Sequence, residues 1–142
     1  VNVALGLKNA GQESGATLDL LTLDLYTGRA GLFKAGAAPS FLCRAGVVRT
    51  LDGASLPMGV LPTVTGRSTA LTLDVGDTVM MVSDGALCDG SAWLCDQLTL
   101  STRLGQSPQQ TAEAVAASAV RRSGARQDDI TVAIGRLERQ KS

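Results

Sequence analysis

The chain contains no histidine among its 142 residues, and this absence removes several kinds of active site. Ser-His-Asp and Cys-His mechanisms are excluded because the imidazole that activates the nucleophile is missing. Cys43, Cys88 and Cys95 are an odd set without CxxC spacing, so they do not form a zinc-ligand pattern. We expect the three thiols to be small buried apolar side chains. The catalytic groups that remain are carboxylates, arginine, lysine and metal-bound water.

Aromatic residues and net charge are also scarce. Aromatic residues make up 3% of the chain, and 13 basic residues balance 13 acidic ones. A nucleic-acid partner is therefore not expected, because it requires a basic surface for phosphates or rings that stack on bases. No apolar run approaches the ~18 residues of a membrane span. We expect a cytoplasmic location, with any membrane anchor in regions outside this chain.

The apolar content indicates a globular protein. Hydrophobic residues make up 44% of the chain, enough for one core, and we predict a single domain over residues 1–142. Alternating apolar residues and turn signals predict three β-hairpins, with strands at 16–25 and 30–35, at 40–44 and 47–51, and at 68–73 and 77–82.

Helices are predicted at three places. The sequence Ser107-Pro108-Gln109-Gln110 is typical of a capping box, and Gly124 is placed to end the helix that starts there. Residues 93–104 give a weaker helical signal because threonine and serine interrupt it. Residues 1–8 resemble the end of a longer helix.

Two acidic motifs are the main functional signal. Ser83-Asp84-Gly85 follows the apolar run 79–82, while Asp128 and Asp129 precede the apolar run 130–134. Taken singly, each motif is typical of a turn or a solvated loop. Taken together, they place carboxylates at the ends of two apolar strands, where repulsion between them favours a bound cation. Hard oxygen ligands in such a place suit Mg²⁺ or Mn²⁺.

A series of short segments resembles the bacterial metal-dependent protein phosphatases of the PP2C class, in particular the stage II sporulation protein E phosphatase domains. The segments that carry the resemblance, in chain order, are residues 17–20 (TLDL), 26–28 (YTG), 34–41 (KAGAAPSF), 56–59 (LPMG), 75–77 (VGD), 83–85 (SDG) and 128–132 (DDITV). The ordered series is more specific than any one of its members.

The resemblance implies an α+β fold, a PP2C-like antiparallel β-sandwich flanked by helices, of which the chain is the C-terminal two thirds and which is incomplete at the N-terminus. It implies two Mn²⁺ or Mg²⁺ ions and a bridging water that attacks phosphoserine or phosphothreonine. Asp84 and Asp128 match metal ligands of the family, and Gly85 keeps the turn beside them tight. Asp129 is a further predicted site residue, although many relatives have Asn there. No catalytic residue beyond the metal-site residues is predicted.

The chain also departs from this pattern. The family carries an upstream Asp-Gly-Met-Gly-type segment whose Asp bridges both metals, and this chain has no such segment. We therefore expect the chain alone to bind the two ions poorly and to have little turnover. We also expect it to self-associate through uncovered apolar surface, with Leu21, Leu23, Leu25 and residues 79–82 as candidates.

Three functions remain open. The first is a serine/threonine phosphatase that acts on a phosphorylated anti-sigma factor antagonist in sporulation sigma-factor control. The second is a catalytically inert module with the same fold, kept for interaction or oligomerisation. The third is a different dimetal hydrolase.

Overall fold

The structure, a computed structural model, describes residues 15–61, 63, 66–125 and 128–140. Their contacts define two compact units. Of the described residues, the first unit contains those up to Ala37 together with those from Gly53 to Leu73, and the second contains Ala38–Asp52 together with those from Asp74 onward. The single domain expected from the sequence stays a prediction. The helix expected at 1–8 lies outside the described residues.

The first unit is built on a three-stranded antiparallel sheet. Its strands are β1 (Leu18–Leu23), β2 (Arg29–Ala35) and β5 (Arg67–Thr72), in the order β1-β2-β5. The first predicted hairpin is confirmed, since β1 pairs with β2 from Leu18↔Ala35 to Leu23↔Ala30. Its turn is held by the Asp24 carboxylate, which accepts hydrogen bonds from the backbone N–H groups of Tyr26 and Thr27.

A buried ion pair joins β1 and β2 near one end of their ladder. Lys34 on β2 is 2% exposed, and its Nζ lies 2.6 Å from Oδ2 of Asp19 on the adjacent strand. The Ser55 hydroxyl donates to the Lys34 carbonyl oxygen at 3.1 Å and accepts from the Gly36 N–H at 3.0 Å. These bonds tie the loop around Ser55 to the end of β2, which gives the segment beginning at Lys34 a structural role.

The second unit is built on a four-stranded antiparallel sheet in the order β4-β3-β6-β7. Its strands are β3 (Ser40–Arg44), β4 (Val47–Leu51), β6 (Thr78–Val82) and β7 (Val132–Arg136). The second predicted hairpin, β3 with β4, is confirmed.

The third predicted hairpin is wrong, because β5 pairs with β2 whereas β6 lies between β3 and β7. Four of the five β6 residues are buried, so the backbone N–H and C=O groups of this strand need hydrogen-bond partners along both of its edges. The strands β3 and β7 supply these partners. The burial of β6 also shows that the expectation of uncovered apolar surface at residues 79–82 was wrong. Leu25 remains 74% exposed.

A charged network fixes the turn that enters β6. Asp77, whose side chain is 3% exposed, lies 2.5 Å from Nη2 of Arg44 on the adjacent strand β3. Its Oδ2 also accepts the backbone N–H of Asp74 at 2.8 Å. The Asp77 carboxylate therefore connects the turn to the neighbouring strand.

Two α-helices and a short 3-10 helix complete the second unit. The 3-10 helix spans Asp84–Leu87, α1 spans Ala92–Arg103 and α2 spans Pro108–Ser123. The fully or nearly buried core of this unit combines residues of β3, β6 and all three helices: Phe41, Cys43, Met80, Val82, Ala86, Trp93, Leu94, Leu98, Val115 and Ala119.

The helices predicted at residues 93–104 and from Ser107 to Gly124 are confirmed as α1 and α2. The capping box of α2 is complete, because Ser107 Oγ accepts from the Gln110 N–H at 3.2 Å and Gln110 Oε1 accepts from the Ser107 N–H at 2.9 Å. In α1 the Thr102 hydroxyl donates to the Leu98 carbonyl at 2.8 Å, so this threonine is satisfied within the helix. Neither helix, nor any other within the described residues, has the length and apolar character needed to span a bilayer.

Candidate metal centre

The pairing of β6 with β7 brings the two acidic motifs to one end of the sheet. Val82 and Val132 are the terminal pair of this antiparallel ladder. Asp84 lies just beyond the end of β6, and Asp128 lies just before the start of β7. Since antiparallel neighbours run in opposite directions, the position after β6 and the position before β7 lie at the same end of the sheet.

Ser83 joins the two motifs directly. Its N–H donates to the Thr131 carbonyl oxygen at 3.0 Å. Its hydroxyl donates to the Asp129 carbonyl oxygen at 2.9 Å and accepts from the Thr131 N–H at 2.9 Å. One residue therefore extends the contact between the strands into the loops that carry the carboxylates.

Gly85 permits this approach because it has no side chain. A methyl group at this buried position would lie 2.5 Å from the Asp129 carbonyl oxygen and 3.1 Å from its carbon. Both atoms belong to backbone, so a side chain at residue 85 would push the two loops apart. The structure thus gives a physical reason for glycine after Asp84, and that reason is close packing rather than an unusual backbone angle.

The two aspartates line a common surface cleft of about 500 Å³. The described residues around it are Asp84, Gly85, Cys88, Asp89, Arg122, Ser123, Ala125 and Asp128. The carboxylates of Asp84 and Asp128 are exposed, and each accepts a hydrogen bond from the N–H of the next residue, at 3.1 Å and 2.8 Å respectively. Each carboxylate retains oxygen lone pairs for a cation.

This arrangement fits part of a ligand set for a hard divalent cation. Mg²⁺ typically uses one or two protein carboxylates and keeps several waters, and the cleft offers two carboxylates open to solvent. No group of three or more metal-binding side chains occurs within the described residues. Asp84, Gly85 and Asp128, three of the four residues predicted for the metal site, border the cleft. Their part in metal binding, and that of Asp129, stays a prediction.

Asp129 has a different placement. The contacts that the structure gives it run through its backbone, with its carbonyl oxygen accepting from Ser83 and lying against Gly85. Its carboxylate is exposed and is not part of the described cleft lining. An asparagine would keep the same backbone contacts.

Three further residues of the cleft have reactive or charged side chains that were not assigned to the site from the sequence: Cys88, Asp89 and Arg122. Arg122 donates from Nη1 to Oδ2 of Asp89 at 3.2 Å, and its guanidinium carbon lies 5.0 Å from the centre of the Trp93 ring. Arg122 also lies in the last turn of α2, where a positive charge stabilises the helix C-terminus. Cys88 is exposed and Cys95 half-buried, so the expectation of three buried thiols is correct for Cys43 only.

Comparison with known proteins shows the family to which the chain belongs. The sequence profile of the family described as Stage II sporulation protein E matches residues 2–138. The chain belongs to the stage II sporulation protein E family. Stage II sporulation protein E of Bacillus subtilis is 29% identical over 147 residues, covering 97% of this chain and 17% of the relative.

Solved structures show the same fold. The phosphatase domain of the cell fate determinant SpoIIE from Bacillus subtilis has a TM-score of 0.72 and 28% identity, over 89% of this chain and 57% of that one. The catalytic domain of the serine/threonine phosphatase PstP, solved with two manganese ions, has a TM-score of 0.72 at 17% identity, over 94% of this chain and 65% of that one. The predicted PP2C-class family and α+β fold are confirmed. The chain spans just over half of the solved SpoIIE domain.

Proposed function

We propose that this chain contributes the Asp84 and Asp128 side of the active site of a metal-dependent serine/threonine protein phosphatase. The observation that carries the proposal is the shared cleft, in which two exposed carboxylates from distant parts of the chain border the same space. Membership of a family with solved PP2C-class phosphatase domains supports it.

Asp84 and Asp128 would hold divalent cations, Mn²⁺ or Mg²⁺. When bound in pairs, such ions lower the pKa of a water and neutralise phosphoryl oxygens during in-line displacement. Ser83 and Gly85 would hold the Asp84 loop against the loop that carries Asp128. The two carboxylates would thus be positioned before any cation arrives, which reduces the cost of ordering the site on binding.

The proposed substrate is phosphoserine on a phosphorylated anti-sigma factor antagonist protein, and the proposed site of action is the cytoplasm. The similarity to stage II sporulation protein E supports this choice. Self-association of the chain is also proposed, with the exposed Leu25 as one of its apolar contacts.

The test uses the full-length protein that contains this chain and a phosphoserine peptide with Mn²⁺. Asp84→Asn and Asp128→Asn each remove a charged ligand from the exposed cleft, so we expect turnover to fall at least about 100-fold without loss of the fold. Glu113→Gln is a matched control, because it neutralises an exposed carboxylate on α2 that bonds to Gln109.

Asp129→Asn provides a comparison within the same motif. Since the observed contacts of Asp129 are through backbone, we expect a much smaller loss than for Asp128→Asn. Near-normal turnover in Asp84→Asn or Asp128→Asn would exclude that residue as an essential ligand. A wild-type protein that folds and binds the phosphopeptide without hydrolysing it would instead support the inert interaction module.

A further inference from the structure

Arg122 is the positively charged side chain among the described residues that line the cleft. The other charged groups there are Asp84, Asp89 and Asp128, which give the lining a net charge of −2. A phosphate group is also negative, so this lining repels it until cations are bound. Arg122 is the protein group that opposes this repulsion.

The structure holds Arg122 from two sides. The Asp89 carboxylate pairs with its Nη1 at 3.2 Å, and the face of Trp93 lies 5.0 Å from its guanidinium carbon. The Arg122 side chain is still 45% exposed. A guanidinium has five N–H donors in a planar fork, and the ion pair with Asp89 occupies only part of that fork. Donors therefore remain for an anion that enters the cleft.

The helix C-terminus alone does not account for this placement. A cation in the last turn stabilises the helix dipole wherever its side chain points. Arg121 meets that requirement, and its Nη2 donates to Ser118 Oγ on the same helix at 2.9 Å. Arg122, by contrast, bonds to a residue that follows the 3-10 helix and borders the cleft.

We propose that Arg122 binds the phosphoryl group of the phosphoprotein substrate within this cleft. The proposal rests on the proposed phosphatase function and names a substrate-binding residue for it. Arginine binds phosphate through two parallel N–H···O bonds, which require a correctly oriented fork. Asp89 and Trp93 orient the fork before substrate arrives, so less conformational freedom is lost on binding.

The test separates binding from turnover. Binding is measured in the full-length protein that carries Asp84→Asn and Asp128→Asn. These changes remove the proposed metal ligands, so a phosphoserine peptide can be titrated calorimetrically without hydrolysis. They also leave the cleft lining without net charge, so it does not repel the phosphate. We expect Arg122→Gln in this background to weaken peptide affinity about 10- to 100-fold, the usual effect of losing charge-assisted hydrogen bonds. Arg122→Lys keeps the charge but not the fork, and a smaller loss of about 3- to 10-fold is expected.

Arg121→Gln is the matched control, because it removes the neighbouring positive charge from the same helix turn, and its affinity should stay within about twofold. Unfolding curves for each variant show whether Arg122→Gln remains folded; if it does not, Arg122→Lys carries the test. Unchanged affinity in the folded variant overturns the proposal. So does an equal loss with Arg121→Gln, or an equal loss for the unphosphorylated peptide, which would indicate recognition of general acidic charge.

Kinetics of the active protein distinguish a failure of the Arg122 proposal from a failure of the proposed phosphatase function. In the active protein, Arg122→Gln should raise KM for the phosphopeptide more than it lowers kcat. If the wild-type protein lacks turnover but Arg122-dependent phosphopeptide binding persists, the binding assignment is supported and the catalytic proposal fails. If turnover is normal and neither KM nor affinity responds to Arg122→Gln, the Arg122 assignment fails and the catalytic proposal stands.

Discussion

Replacing Gly85 by alanine tests whether close backbone packing builds the metal-binding cleft. The added methyl group would lie 2.5 Å from the Asp129 carbonyl oxygen, whereas ordinary contact begins near 3.4 Å. The Asp129 segment must therefore retreat by about 0.9 Å if the rest stays fixed. The Asp129 carbonyl oxygen also accepts the 2.9 Å hydrogen bond from the Ser83 hydroxyl, so the same movement disturbs that bond.

The expected cost follows from these two effects. Overpacking against backbone costs roughly 1–3 kcal/mol. The weakened Ser83 hydrogen bond adds about 0.5–1.5 kcal/mol. Alanine restricts the unfolded chain more than glycine does, which offsets about 0.4–1 kcal/mol. We therefore expect Gly85→Ala to lower the free energy of unfolding by about 0.5–4 kcal/mol. It should also weaken Mn²⁺ binding, because Asp128 is adjacent to the displaced residue.

Urea unfolding of the protein measures the first effect, and calorimetric Mn²⁺ titration measures the second. The fluorescence of Trp93, the one tryptophan of the chain, reports on the unit that contains Gly85. Gly135→Ala is the matched control, because this β7 glycine has no atom within 4 Å of the position of an added methyl group. Gly135→Ala should be neutral or slightly stabilising. If Gly85→Ala unfolds at the wild-type urea concentration and binds Mn²⁺ equally well, the inferred close packing is wrong.

Two further predictions concern the second unit. Burial raises the pKa of Asp77, but hydrogen bonds from Arg44 and the Asp74 N–H outweigh burial and lower it below its ordinary value. The Asp77 carboxylate therefore stabilises the folded state above the unfolded pKa of about 4, and this stability is lost as pH falls through the lowered folded pKa. Urea midpoints measured from about pH 6 to about pH 3 should fall more steeply for wild type than for Asp77→Asn, and parallel curves would contradict this assignment. Ser107→Ala removes the oxygen that accepts the Gln110 N–H, so it should cost about 1 kcal/mol in the same assay, and an unchanged midpoint would show that the capping box adds nothing.

Local signals in the sequence predicted much of the fold. The β1–β2 and β3–β4 hairpins join segments that are adjacent in the chain, so apolar alternation and the turn residues at 26–29 and 45–46 were enough to indicate them. The same reasoning failed at residues 74–76, which have turn residues but connect strands of different sheets. The burial of β6 on both faces was the missing information, and it depends on partners that are distant in sequence.

The residues of the candidate site were also predicted only in part. Asp84, Gly85 and Asp128 were identified because their motifs stand at the ends of apolar runs and resemble a family pattern. Arg122 and Asp89 were not assigned to the cleft, because their ion pair joins the last turn of α2 to the loop after the 3-10 helix and neither residue lies in a motif. Such a contact depends on how α2 packs beside the 3-10 helix, which sequence spacing does not encode.

The pairing of Val82 with Val132 also determines when the cleft can form during folding. Both helices of the second unit lie between these strands in the chain, so the Asp84 and Asp128 loops meet only after a long loop has closed. Contacts of this kind form slowly compared with the nearby β3–β4 hairpin. On the ribosome, Asp84 emerges well before Asp128, and the newly made chain therefore lacks the paired carboxylates until β7 has been synthesised and added to the sheet.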